Sequence, residues 1–214
     1  MVMKFKFILV FLAFALVRNL SFAGDDPEDV LSHLEKKYDK IKDAFASFTQ
    51  DVVFGVTKNE QTFKGKLWMK KGNKYRLEFE DETIVTDGSS VWSFSKSNNQ
   101  VLIDKYRDDP KSFSPDKVLV NVPKQYSATV LSREKIEDRE TIVLKLVAKE
   151  QSSNLKWMKV WVDPDEWLME RIQILDVSDN LTTYFINGLK LNTGLADGQF
   201  EFQVPKGIDV IDLR

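Results

Sequence analysis

Phe63-Lys64-Gly65-Lys66-Leu67-Trp68-Met69-Lys70, read as extended chain, puts Phe63, Gly65, Leu67 and Met69 on one face and three lysines with Trp68 on the other. A period of two marks a strand covered on one side. The pattern recurs: Tyr75, Leu77 and Phe79 alternate with Lys74, Arg76 and Glu78, and beyond the Asp87-Gly88 turn Trp92 and Phe94 alternate with serines. Further strands are predicted at Gln100–Tyr106, Gln125–Leu131, Thr141–Val147, Leu155–Asp163, Leu168–Leu175 and Leu181–Leu191. Strands joined by short polar turns give an antiparallel meander, and this many must curl.

Upstream, Asp26-Pro27-Glu28-Asp29 supplies a helix start, with a cap, a first-turn proline and acids at the positive end of the dipole. Val30, Leu31, Leu34, Tyr38, Ile41, Phe45 and Phe48 recur at three and four, so the helix is predicted to run into Phe45-Ala46-Ser47-Phe48-Thr49-Gln50, with strands after it. Its apolar stripe requires an apolar surface to lie on. Between Arg107 and Pro123 the starters Asp109-Pro110 and Ser114-Pro115 precede Val118-Leu119-Val120, a small apolar patch that reads equally as buried lining or as a lid.

Residues 1–23 read as a secretory signal: Lys4 and Lys6, an apolar run from Phe7 to Val17, then Ser21-Phe22-Ala23 as a small-x-small cleavage site. That run is too short for a bilayer span, which takes about 20 residues. One domain is expected over residues 24–214, with no linker, repeat or low-complexity tract. The chain of 214 residues holds no cysteine, so neither disulfides nor a lipidated cysteine after the signal are available. The formal net charge is −2, and losing Lys4, Lys6 and Arg18 makes it three units more negative, which argues against a nucleic-acid partner.

Chemistry is scarce. With one histidine and no cysteine a zinc site would be almost wholly carboxylate, so no metal is expected, and His33 reads as a helix-surface residue. Ser89 and Ser90 follow Gly88 but form no Gly-x-Ser-x-Gly elbow, and no phosphate-binding Gly-x-x-x-x-Gly-Lys loop exists. No enzyme and no cofactor are therefore expected. Lys58, Lys64, Lys66, Lys70, Lys71, Lys74 and Arg76 face a single acid, Glu60, in the same stretch. This basic run is a solvated sheet face or a dock for an acidic partner, with Lys64 and Lys66 as the docking candidates. What remains is a two-faced sheet with one very apolar face, suited to holding something greasy in water.

With Phe45-Ala46-Ser47-Phe48-Thr49-Gln50, Gly65-x-Leu67-Trp68-x-Lys70, Asp87-Gly88-x-x-Val91-Trp92 and the run Phe200 to Ile211 in this order, the chain resembles the LolA family, periplasmic carriers of outer-membrane lipoproteins. The related receptor LolB would carry the missing lipidation cysteine. The resemblance implies a mainly β fold with an α lid: an unclosed, strongly curved antiparallel half-barrel covered by helices on its concave side. It also implies a periplasmic monomer that takes triacylated lipoproteins from an inner-membrane ABC transporter of the Lol type and passes them to an outer-membrane receptor of LolB type. The lipid-binding wall is then expected at Leu67, Met69, Tyr75, Leu77, Phe79, Trp92, Phe94, Val160 and Val162, under the lid residues Val118, Leu119 and Val120. Family members commonly carry Arg-Pro after the Trp-x-Lys strand, the arginine holding the lid shut; here Lys71-Gly72 stands there, so Lys71 is the expected latch, keeping the charge but losing the planar fork. A periplasmic sensor of RseB type, binding lipid or peptide, is the alternative function.

Overall fold

The computed structural model describes residues 25–107, 126–149 and 154–214. The expected signal and the lid residues Val118, Leu119 and Val120 lie outside them.

The α-helix among the described residues, α1 (Pro27–Tyr38), starts as the sequence requires: the Asp26 carboxylate accepts from Glu28 N, Pro27 opens the first turn, and Lys36 and Lys37 sit in the last. It ends earlier than predicted. Phe45 and Phe48 belong to a strand, β1 (Asp43–Val53), whose register against its neighbour shifts between Phe45 and Ser47. A spacing of three imitates a helical stripe but in a strand sets Phe45 and Phe48 on opposite faces, and the β-branched and aromatic content of Phe45 to Val53 favours extended chain.

Eleven further strands follow: β2 (Glu60–Lys70), β3 (Lys74–Glu78), β4 (Glu82–Asp87), β5 (Ser90–Ser95), β6 (Gln100–Lys105), β7 (Tyr126–Ile136), β8 (Arg139–Ala148), β9 (Leu155–Asp163), β10 (Leu168–Asp176), β11 (Leu181–Leu191) and β12 (Asp209–Asp212). They form one open, curled sheet in the order β12-β6-β5-β4-β3-β2-β1-β11-β10-β9-β8-β7. All pairings are antiparallel except that β12 runs parallel to β6. Long connections bring β1 against β11, and β12 was not expected as a strand.

The face that meets α1, here the inner face, is a core over β8 to β10. Val30, Leu31 and Leu34 share one buried cluster with Ile142, Leu144, Val160 and Val162. Arg133 on β7 ties down the N-terminal end of the helix through a forked pair of bonds to Asp25 at 2.7 and 2.9 Å. At the far end of the sheet the covered face is the other one. Val85, Val101 and Ile103 are buried there, and the C-terminal chain contributes Phe200, 1% exposed, from a 3-10 turn at Asp197–Phe200. Lys70 and Lys74 both hold Asp197, at 2.8 and 3.3 Å, and so pin that turn to the outer face.

Candidate functional site

Between these two covered ends the inner face of β1–β4, β10 and β11 lines a cavity of about 560 Å³, within the range of about 300–1,000 Å³ usual for small-molecule sites. Its wall follows from register. Ala46 stands opposite Leu67, Leu67 opposite Leu77 and Leu77 opposite Ile84, so one apolar row crosses four strands. A second row leads from cavity to core: Gln50, Tyr184, Ile172, Val160 and Leu144 are successive partners from β1 to β8. Met69 and Met169 add pliant side chains to the wall.

Phe48 crosses the cavity over Gly65. Its ring meets Phe79 edge-on at 5.6 Å and Tyr184 at 6.1 Å. A Cβ at Gly65 would lie 2.4 Å from the tip of the Phe48 ring and 2.9 Å from the Glu78 carbonyl oxygen, so glycine makes room for the ring there. Tyr38 and Tyr184 of the wall stay neutral at physiological pH, and the charged lining residues Asp39, Lys42, Asp43, Lys70 and Lys71 gather toward the end of α1 and the β2–β3 turn. Burial pushes the Tyr184 hydroxyl up to about 12, and it does the same to Tyr38, where the N–H of Met169, donating to the Tyr38 oxygen at 3.1 Å, offsets part of the rise.

The mouth is built around the end of α1. Lys71 N donates to the Lys42 carbonyl at 3.0 Å, and Lys71 Nζ donates to the carbonyl of Asp39, the helix C-cap, at 2.7 Å. Gly72 at φ +91° and Asn73 at φ +60° turn the chain back into β3. Proline, fixed near −65°, could not stand at position 72 in this turn, so the departure from Arg-Pro has a backbone reason. Beside the mouth Asp43 receives Thr193 N at 2.7 Å, Thr193 Oγ1 at 3.0 Å and Gly194 N at 3.0 Å. Burial pushes the Asp43 carboxyl up, but these bonds and one from Leu195 outweigh it and hold the group below its ordinary value.

The structure brings Leu67, Met69, Tyr75, Leu77, Phe79 and Lys71 together around this cavity. Val160 and Val162 share its face but are wholly buried beneath α1. The placement of Trp92 and Phe94 is corrected. They stand opposite Val85 and Thr83, one parity away from Ile84, and therefore on the outer face; Phe94 packs on Phe202 at 5.9 Å. Lys64 and Lys66 are exposed on that outer face as well. His33 is exposed on α1 and stacks on Trp167 at 4.2 Å. Sequence reading missed Tyr184, Ile186 and Ile172. In Leu181–Leu191 both parities carry large side chains, so alternation there names no face; the cross-strand partners do.

A family model described as outer membrane lipoprotein carrier protein LolA matches residues 39–203. The outer-membrane lipoprotein carrier protein of Actinobacillus pleuropneumoniae is 27% identical over 210 residues, covering 95% of this chain and 92% of its own. That of Pasteurella multocida is 26% identical over 189 residues, covering 87% and 88%. An uncharacterized protein of Methanocaldococcus jannaschii is 26% identical over 210 residues, and there the chain spans only 60% of the relative's length. Among solved structures, an uncharacterized conserved protein from Thermus thermophilus superimposes with a TM-score of 0.57 at 14% identity, covering 86% of this chain and 98% of the other, and so shares the fold. The matched span takes in well over half of the sequence, and the chain belongs to the LolA family.

Proposed function

We propose that this protein is a periplasmic lipoprotein carrier, which holds acyl chains in the cavity between α1 and the inner face of β1–β4 and β11. The observation that carries this reading is the cavity itself: about 560 Å³, walled by aliphatic, aromatic and methionine side chains, in a LolA-family chain. The names of the Actinobacillus and Pasteurella relatives support the same cargo. Delivery runs from an inner-membrane transporter to an outer-membrane receptor. No step of bond chemistry is required of the protein.

Energetics set how such a site works. Burying acyl carbon is worth about 0.8 kcal/mol per CH₂, so one fully buried 16-carbon chain approaches about 13 kcal/mol before entropic costs. Three chains held that deeply would not leave on a useful timescale. The carrier therefore holds them incompletely, in a cavity with pliant walls and a movable mouth, and Lys71 acts as the latch by tying the β2–β3 turn to the end of α1. Native mass spectrometry of protein isolated from a periplasm is the test. Co-purified triacylated protein is the expected result; free lipid or a bound peptide alone would favour a sensor, and an empty protein that also ignores acyl probes would overturn the reading.

A further inference from the structure

We propose that the outer face of β8 to β2 docks an acidic segment of a partner protein, with Arg171 at the centre of the contact. Register places Arg171 opposite Trp161 on one side and Phe185 on the other, and its guanidinium carbon lies 5.1 and 5.0 Å from the two ring centroids. Rings on both sides restrict rotation of the guanidinium and leave its edge as the group available for hydrogen bonding. Its Nε is buried and has no hydrogen-bond partner. Of the neighbouring acids, Glu134 accepts the Trp161 indole N–H at 2.9 Å, while Glu170, next in the chain and within the field of Arg171, pairs with Arg139 through Oε1 and leaves Oε2 buried without a hydrogen-bond partner.

A second observation lies one strand away. Lys145 and Lys159 stand directly opposite each other on β8 and β9, an arrangement of like charges that costs stability unless something negative lies over it. Among the described residues no hydrogen bond or ion pair takes up Lys145, Lys159 or Arg171; Lys159 rests 5.8 Å from the Trp157 ring. Beyond Phe185 the line continues through Thr49 to Lys64, with Lys66 beside it. Cations thus stand on four of six adjacent strands, β8, β9, β10 and β2, in two neighbouring cross-strand rows of the same face with Phe185 and Thr49 between Arg171 and Lys64, over about 24 Å at the usual strand spacing. That length suits an acidic helix of about 16 residues laid across the strands.

A protein segment fits this track better than a bilayer does. A guanidinium stacked on both faces rewards a carboxylate presented in one direction, and the cations lie in a narrow band of two cross-strand rows on a curved sheet, not on a plane. The track is on the opposite side of the sheet from the acyl cavity, so docking does not compete with cargo.

The probe is a fluorescent 16-residue glutamate-rich peptide, titrated by anisotropy at low salt against the intact protein. Arg171→Gln is expected to weaken binding about tenfold, the scale of one lost charge-assisted bond set. Arg171→Lys should lose nearly as much, because an ammonium does not restore the fork. Lys145→Gln combined with Lys159→Gln should do the same without touching the aromatic stack, and it carries the test if Arg171→Gln does not fold. Lys206→Gln, off the track, should match the parent, and acyl-probe binding should be unchanged throughout. Parent-like affinity in Arg171→Lys, or a loss in Lys206→Gln equal to the others, would reduce the track to diffuse charge and overturn the proposal. Phosphatidylglycerol vesicles showing a stronger Arg171 dependence than the peptide would give the face to a membrane and overturn it too.

Discussion

The two ends of this sheet are closed by different elements on opposite faces, although at the β8–β9 end the outer-face Val143 and Trp161 are buried as well. Over β8 to β10 the inner face is the core, with Val160 and Val162 at 0% exposed beneath α1. Over β4 to β6 the outer face is the core, with Val85 and Val101 at 0% beneath the chain that carries Phe200. On either end the sequence shows the same alternation. The difference is which element lies on top, and it teaches that period two names two faces without saying which one a later segment will cover. The cavity occupies the stretch between, where the inner face is still apolar and the buried stripe of α1 has already met its partners on β8 to β10.

Removing a covering side chain breaks the comparison most severely. Phe200→Ala should cost about 3–5 kcal/mol of stability by leaving a void on the outer face. Below its lowered melting transition the protein should keep parent affinity for an acyl probe; an affinity loss in folded protein would mean that the two ends are one unit. The inverse pattern is expected in the cavity. Leu77→Glu should weaken acyl binding about a hundredfold, or roughly 2.7 kcal/mol, by placing a charge in an apolar wall. Its melting temperature should move little, since Leu77 is only half-buried. Titration of a fluorescent fatty acid alongside thermal melts checks both arms.

These faces explain what could be read from the sequence and what could not. Leu67, Met69, Tyr75 and Leu77 were legible as one apolar face because their strands alternate cleanly and their neighbours are charged. Trp92 and Phe94 alternate just as cleanly with serines, and the inference that they face the cavity failed because only the register against Val85 and Thr83 reveals their side. The cover over them is Phe200 and Phe202, carried by a turn whose Asp197 is held by Lys70 and Lys74, contacts between residues far apart in the chain that no local pattern announces. The end of α1 was misplaced for a related reason. Phe45 and Phe48 fit a helical spacing of three, yet in the strand that odd spacing puts them on opposite faces, Phe45 opposite Trp68 and Phe48 opposite Gly65.

Asp43 joins the start of β1 to the chain leaving β11, so it sharpens the comparison at the cavity mouth. Asp43→Asn should cost about 2 kcal/mol, the scale of hydrogen bonds to a charged group. The sign of the pH effect follows from the lowered pKa. The folded-state value lies below the unfolded one of about 3.9, so the stabilisation is complete well above that value and is lost as pH falls through it toward the folded pKa. Acid unfolding curves should therefore be shallower for Asp43→Asn than for the parent between about pH 5 and pH 2. Identical curves would mean that the Thr193 and Gly194 bonds do not favour the charged form.

The smallest effect belongs to Lys71. A single ammonium donor on the Asp39 carbonyl contributes about 1 kcal/mol to the closed mouth. Lys71→Met should speed entry of an environment-sensitive hydrophobic dye severalfold, and Lys71→Arg should slow it. Gly72→Pro should not improve the latch, because the φ of +91° there excludes proline. Equal dye kinetics in all variants would make Lys71 an ordinary surface lysine.

The central claim is that acyl chains enter on the inner face between the two covered ends. Photo-cross-linking with a fatty acid carrying a diazirine on its chain, followed by peptide mapping, tests it most directly. The account expects label on Leu67, Leu77, Tyr184 and Ile186, lost when unlabelled lipoprotein is added, and none on Trp92 or Phe94. Label concentrated at Trp92 and Phe94, or spread evenly over both faces, would contradict it.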